Sequence, residues 1–255
     1  MYIYYILIFV VGLMVGSFLN VCIYRIPLKQ SIVFPASHCF NCNHELNGLD
    51  LIPVFSFIFL KGKCRYCGDK ISIQYPLVEL ANALLFLFAF IYFGFNLLTV
   101  FYAVFSSLLL VISVIDYKKG IIPNYLIIFG LILGVIYITF TVIITHSYDI
   151  AKNGLLGAFL GAIIIIIIIV ISRGGMGAGD YKLMGVIGLF LGYKKIILVL
   201  FLAVVLAGIF ATILLISKSK ERKSAIPFGP FLAIAALSVL YYGDLIINWY
   251  LLYIF

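Results

Sequence analysis

Two aspartates and four cysteines are the residues of this chain whose types and spacing could do chemistry. Asp116 stands in Ser113-Val-Ile-Asp116-Tyr-Lys-Lys-Gly120, ahead of Ile122-Pro123-Asn124. Asp180 stands in Gly174-Gly-Met-Gly-Ala-Gly-Asp180-Tyr-Lys182. Only nine acidic residues occur in 255, so two set beside long apolar runs carry weight. Carboxylates held together cannot both ionise easily and come to share one proton. The charged member can then take a proton from water, while the protonated member donates to the carbonyl oxygen of a scissile amide. Glycines around Asp180 let backbone or an extended substrate approach closely. More ordinary roles exist. Asp116 could pair with Lys118 or Lys119, and Asp180 could cap a helix over 181–191. Sequence distance alone leaves these alternatives open.

Cys39-x-x-Cys42 and Cys64-x-x-Cys67 form two knuckles separated by 21 residues in turn-rich sequence. Four thiolates favour a tetrahedral, structural Zn2+ site, and metal binding would supply folding free energy to a small loop. Disulfide or redox pairing competes, but reducing compartments disfavour it. Cys22 reads as a small apolar helix residue.

The rest of the chain must position these groups in lipid. Hydrophobic residues make up 65% and charged residues 10%, with mean hydropathy +1.27, whereas soluble domains carry about 25% charged residues. Seven consecutive isoleucines within 162–171 suit a bilayer. We expect an all-α polytopic membrane protein of about eight transmembrane helices, near 1–24, 76–94, 96–115, 122–144, 153–171, 183–193, 196–216 and 226–254. The first is expected to be a retained span rather than a signal peptide. The sixth is too short to cross upright, so it must be tilted, continued by the preceding glycines, or sheltered by neighbours.

Eight crossings put fourteen of the seventeen Lys and Arg residues on one side and leave only Lys152, Lys194 and Lys195 on the other. The positive-inside bias assigns the first side to the cytosol. The cysteine loop and both aspartates are then cytosolic, with the protein in a bacterial cytoplasmic (inner) membrane. The net charge of +8 is accounted for by lipid headgroups, and no nucleic-acid partner is expected. Three parts follow: 1–24, a first helix; 25–75, a cytosolic four-cysteine domain; and 76–255, a transmembrane core.

These motifs in this order resemble the type IV prepilin peptidase family, membrane enzymes of the Gly-x-Gly-Asp aspartic protease type. The resemblance starts at Gly16-Ser-Phe-Leu-Asn-Val-Cys-Ile-Tyr-Arg25-Ile-Pro27 and runs through both knuckles into Gln74-Tyr-Pro-Leu-Val-Glu79. It then takes in Asp116, Ile122-Pro123-Asn124 and Gly177-Ala-Gly-Asp180, and closes with Ile226-Pro-Phe-Gly-Pro-Phe231. It implies two reactions on prepilins or pseudopilins. A basic leader is cut at the cytosolic face by Asp116 and Asp180, and the new α-amine is then methylated with S-adenosylmethionine. The four cysteines match members whose cytosolic domain is linked to methyl transfer. For the donor, Gly62 is a candidate for close backbone approach and Glu79 for orienting the amine or sulfonium. Turn geometry and a buried pairing of Glu79 with Arg25 or another base are the favoured readings at those two positions. Phe40, where many members have proline, and Asn47-Gly48-Leu49, where an aromatic is frequent, depart from the pattern.

Two other functions fit parts of the sequence. An intramembrane aspartic protease of signal-peptide or transmembrane stubs would use the Gly-x-Gly-Asp segment, but leaves the cysteine loop unexplained. A non-catalytic scaffold or transporter with a zinc loop would need no aspartate pair.

Overall fold

The computed structural model describes residues 2–172, 175–217 and 226–254. Arg173 and the basic run 218–223, which carry part of the expected charge asymmetry, lie outside them. The described residues are helical apart from connecting turns, with only two isolated bridges, His38 with Glu45 and Lys63 with Lys70. In order, the helices are α1 (Tyr2–Arg25), α2 (Phe55–Phe59), α3 (Gln74–Phe93), α4 (Leu97–Lys119), α5 (Asn124–Thr145), α6 (Asp149–Ile171), α7 (Ala178–Ile216) and α8 (Gly229–Ile254). All except α2 are long and apolar enough to cross a membrane. The chain is an all-α, multi-pass membrane protein.

Seven such helices still make eight arms, because α7 is broken at Gly192 (φ 77°, ψ 171°). The atoms Met184 Cγ and Ile196 Cγ1 both lie within 3.1 Å of the point where a Cβ on Gly161 would stand. In a straight helix those residues would be about 18 Å apart along the axis. The helix therefore folds back on itself. Its first arm, 178–191, is about 21 Å long, short of a hydrocarbon core of about 30 Å. Shelter resolves this: every residue from Leu183 to Gly192 is buried. The arm also starts five residues before the expected 183, taking in part of the glycine segment.

The chain forms two compact units, residues 1–111 and 112–255, divided within α4. In the first, α1 and α3 approach closely along Gly12 and Gly16, where an added Cβ would come within 2.6 Å of the Cα atoms of Ala83 and Glu79. Glycines four apart on one face give such contacts in lipid, where apolar surface alone does not drive helices together. Polar bonds lock the seam. Asn82 donates to the Gly12 carbonyl at 2.7 Å, and Ser107 to Asn82 at 2.6 Å.

In the second unit α6 lays Gly154, Gly157 and Gly161 against the α7 hairpin. A Cβ on Gly188 would lie 2.3 Å from the Gly157 backbone, so no larger residue fits either position. Of the isoleucine run only Ile165 is fully buried, and its neighbours stay half-buried or exposed, as a lipid-facing surface requires. On α5, Gly134 admits Leu189, and Tyr137 stacks on Phe190 at 5.1 Å.

Candidate active site and metal centre

Asp116 does not end the third span but lies inside it. Nothing in Tyr117-Lys118-Lys119 breaks a helix, so α4 continues until Gly120, whose left-handed φ of 64° stops it. The Gly120 N–H closes on the Asp116 carbonyl at 2.8 Å. The side chain is 5% exposed and accepts the Gly229 N–H on Oδ2 at 2.9 Å. It makes no ion pair with Lys118 or Lys119.

Gly229 begins α8, with Pro230 in its first turn. The helix N-terminus leaves N–H groups without intrahelical partners, and Asp116 takes one. A Cβ on Gly229 would sit 2.7 Å from Asp116 Oδ2, so contact at this distance needs glycine.

Asp180 does have a capping role, though not as the N-cap. Gly177 is the N-cap of α7 and Asp180 its third residue. Its Oδ2 accepts the Gly177 N–H at 3.0 Å, while its own N–H donates to the Gly177 carbonyl at 3.0 Å. It too is 5% exposed. Among the described residues of the second unit, these two aspartates are the only buried charged side chains. Asp180 lies within the electrostatic field of Asp116.

The α4–α5 turn packs against the start of α7. A Cβ on Gly179 would come within 2.7 Å of Ile122 Cβ, so the second glycine of the Gly-x-Gly-Asp segment makes room for the Ile-Pro-Asn turn. Lys182 then donates to Asn124 Oδ1 at 2.8 Å, tying the starts of α7 and α5. Sequence reasoning missed Gly229 and Gly177 as backbone donors. The Gly229-Pro230 pair, glycine directly before a helix-starting proline, was the available signal.

The cysteine centre, in the first unit, is built from turns. In each knuckle the first cysteine donates its N–H past the turn, Cys39 to the His44 carbonyl at 3.0 Å and Cys64 to that of Asp69 at 2.7 Å. The residue after each second cysteine, Asn43 or Gly68, takes a left-handed φ, which asparagine and glycine tolerate best. All five cysteines are free. The four knuckle sulfurs lie within 4.8 Å of one another, Cys39 to Cys67 at 3.7 Å. A tetrahedral ion with arms of about 2.3 Å would set them about 3.8 Å apart. The cluster could hold a metal ion.

Electrostatics favour the same view. Backbone N–H groups of Cys42 and then Asn41 bring the Cys39 thiol down to about 7. At Cys67 the Asp69 N–H favours the thiolate, yet desolvation and the other three sulfurs outweigh it and push that thiol up to about 12. Four thiolates this close resist joint ionisation, and a bound dication removes that resistance.

A second network braces the knuckles. Asp50 accepts from Arg65 Nε at 2.6 Å, from Tyr66 Oη at 3.2 Å and from the Asn47 N–H at 3.2 Å, while Asn47 donates to Tyr66 Oη at 2.8 Å. Burial acts to raise the Asp50 carboxyl, but these bonds prevail and hold it below the usual carboxylate range. The departures from the family pattern have uses here. Asn47 joins this network, and Phe40 packs on Tyr24 at 4.6 Å.

Glu79 is buried but does not pair with Arg25, whose guanidinium instead donates to the Ser31 and Ala36 carbonyls at 3.1 and 3.4 Å. Glu79 Oε2 accepts the Val54 N–H at 2.7 Å, and Ser17 also bonds to it. Val54 has φ 63°, ψ −49°, and Phe55 N–H closes on the Pro53 carbonyl at 2.6 Å. This is a γ-turn of the rare, strained hand. Gly62 (φ 69°) closes the other end of α2, with the Phe57 ring 3.1 Å from where its Cβ would be.

A polytopic helical membrane protein with two buried aspartates and a four-cysteine cluster that could hold a metal is the class so defined. Residues 10–93 match the bacterial peptidase A24 N-terminal domain, and residues 103–212 match the type IV leader peptidase family. A prepilin leader peptidase/N-methyltransferase of Bacillus subtilis is 37% identical over 247 residues, covering 96% of this chain and 97% of the relative. Proteins of the same name from Aeromonas salmonicida and Legionella pneumophila are each 31% identical, covering 98% of this chain and 94% and 95% of theirs. No solved structure matches. The chain belongs to the type IV leader peptidase family.

Proposed function

We propose that this protein is a bifunctional processing enzyme, cutting the basic leader from type IV prepilins or pseudopilins and then N-methylating the exposed residue. The observation that carries the reading is the buried pair Asp116 and Asp180, each oriented by one backbone N–H, in a chain of this family. One aspartate holds a proton and the other does not. The ionised carboxylate takes a proton from water as the water oxygen attacks the scissile carbonyl carbon. The protonated carboxyl gives its proton to the carbonyl oxygen. When the tetrahedral intermediate collapses, the C–N bond breaks, the departing amine takes the proton that came from water, and the other carboxylate takes one from a hydroxyl of the gem-diol, so the pair again holds one proton. Asp116 and Asp180 titrate as a unit in this scheme.

For the second reaction, S-adenosylmethionine supplies the methyl group when bound. An α-amine with an ordinary pKa of about 7.7–8.0 needs only modest desolvation to free its lone pair. Cys39, Cys42, Cys64 and Cys67 would hold a structural Zn2+, since their sulfur spacing suits it. Glu79 and Gly62 stay candidates for the donor side only, since a turn at Gly62 and a buried hydrogen bond at Glu79 already account for both. They set the two ends of α2, and so the shape of the 54–62 segment leading into Cys64. The division of labour then gives residues 25–75 to methyl transfer and the aspartate pair of 76–255 to cleavage. Both sites would face the cytosol, consistent with Lys118, Lys119 and Lys182 near the aspartates against Lys152, Lys194 and Lys195 at the opposite helix ends.

Incubation of purified protein with a synthetic prepilin and S-adenosylmethionine, read by mass spectrometry, tests the reading. Loss of the leader mass and gain of one methyl on the product are expected. An intact prepilin after prolonged incubation with folded, zinc-loaded protein would reject it.

A further inference from the structure

Residues 51–60 read Leu-Ile-Pro-Val-Phe-Ser-Phe-Ile-Phe-Leu, with a single hydroxyl among them. They sit in the cysteine-bearing loop, not in a spanning helix, and the fold does not bury them. Phe59 is 80% exposed, Ile58 61% and Phe55 54%. A contiguous apolar patch of this kind on a polar loop marks an interaction surface.

We propose that α2 is a membrane-interface anchor whose apolar face lies at the headgroup–acyl boundary of an anionic bilayer. Three observations choose lipid as the occupant. First, the depth is fixed. The Val54 N–H that opens α2 is held by Glu79, which is five residues into α3 and so about 7–8 Å along its axis. At that level α3 exposes Leu77 and Leu80, with Ile73 just before it, so α2 shares a level with the lipid-facing belt of a spanning helix. Second, the charge suits anionic headgroups. Lys61 and Lys63 follow α2 directly with no acidic residue between 51 and 68, while Arg65 is taken up by its ion pair with Asp50. Amphipathic helices with basic residues on their polar side lie in the interface with their apolar face about 5–10 Å deep, and basic residues near the surface are drawn to anionic headgroups. Third, the same charges repel a basic leader, which disfavours the substrate as occupant.

The anchor would fix more than α2. The Gly62 N–H bonds the Phe57 carbonyl at 2.8 Å, and Ile71 returns to the Gly62 carbonyl at 2.8 Å. The Cys64 knuckle therefore hangs from the end of α2 at the bilayer surface.

The proposal is independent of the catalytic assignments. Trp249 is the single tryptophan, so Trp249→Phe removes the native emission and Phe59→Trp adds a reporter on α2. The full chain is reconstituted in phosphatidylcholine–phosphatidylglycerol vesicles whose lipids carry bromine either high on the acyl chain or near its methyl end. Trp at 59 should lose most of its emission to the shallow bromines and little to the deep ones. Ile58→Trp serves as a second reporter should the first variant fail to accumulate. Emission that neither bromolipid quenches overturns the proposal. So does shallow quenching that a synthetic prepilin relieves, since the patch would then be a substrate dock.

Discussion

The two buried aspartates and the cysteine cluster are built in opposite ways. The cysteine ligands come from two short turns whose hydrogen bonds are nearly all local, and Cys42 and Cys67 remain exposed. The carboxylates come from helices whose ends converge only because glycines let them, and both are buried. Local turns can preform four sulfurs but cannot neutralise them, so that cluster is one that could hold a metal ion. At the other site the starts of two helices donate N–H groups to the carboxylates, and close glycine contacts leave little room for a change in packing. Lesions in one site should therefore spare the other's chemistry.

The largest test of that separation is Asp116→Asn or Asp180→Asn. Each removes a proton carrier and should lower leader cleavage by about 10²–10⁴-fold, the usual worth of a positioned acid or base. Methylation of a leaderless peptide should stay near wild type. Equal loss of both activities in a folded variant would break the contrast.

Gly229→Ala attacks the same site without touching a carboxylate. Its Cβ would press on Asp116 Oδ2 from 2.7 Å, and a catalytic group moved by about 1 Å can cost roughly 10²-fold. We expect cleavage to fall to that extent with a shifted pH profile, and a normal thermal midpoint. An unchanged profile with a lowered midpoint would reduce Gly229 to a packing residue.

On the cysteine side, Cys39→Ser or Cys64→Ser should abolish zinc binding and methylation while cleavage falls only a few-fold. Elemental analysis alongside the two assays checks this. A wild-type protein prepared under reducing conditions that contains no zinc would contradict the metal assignment.

This contrast also governs how much could be read from sequence. Both knuckles were legible because their ligands are close in the chain and their turns are local. The spans were legible from hydropathy. Even the short sixth one was, since 183–193 was too short to cross upright and the full burial of 183–192 supplies the reason. The aspartates were legible as residue types, and the family motifs named them. Their environment was not. That Gly229 would donate to Asp116 across 113 residues, or that Gly179 would yield to Ile122, depends on helix packing, which no local spacing encodes. Glu79 illustrates the same limit. Its burial could be anticipated, but its partner is the Val54 N–H rather than a cation, because Arg25 turns to the carbonyls of its own following loop.

The smallest expected effect lies in the brace around the knuckles. The Asp50 carboxyl is held below its ordinary value by Arg65, the Asn47 N–H and Tyr66, which overcome the opposing effect of burial. A carboxyl depressed in the folded state stabilises it above the unfolded value of about 3.9, and loses that contribution as pH falls through the folded value. Asp50→Asn should therefore narrow the stability of the cysteine domain at neutral pH only slightly, because an exposed partner such as Arg65 is well screened. The difference from wild type should vanish at acidic pH, where the native carboxyl is itself protonated. Hydrogen exchange of the 47–67 amides against pH reads this directly, and exchange in the buried 183–192 stretch of α7 should not respond. A variant effect that grew toward low pH would mean that Asp50 acts in this network as a neutral acid, and the brace would have to be redrawn.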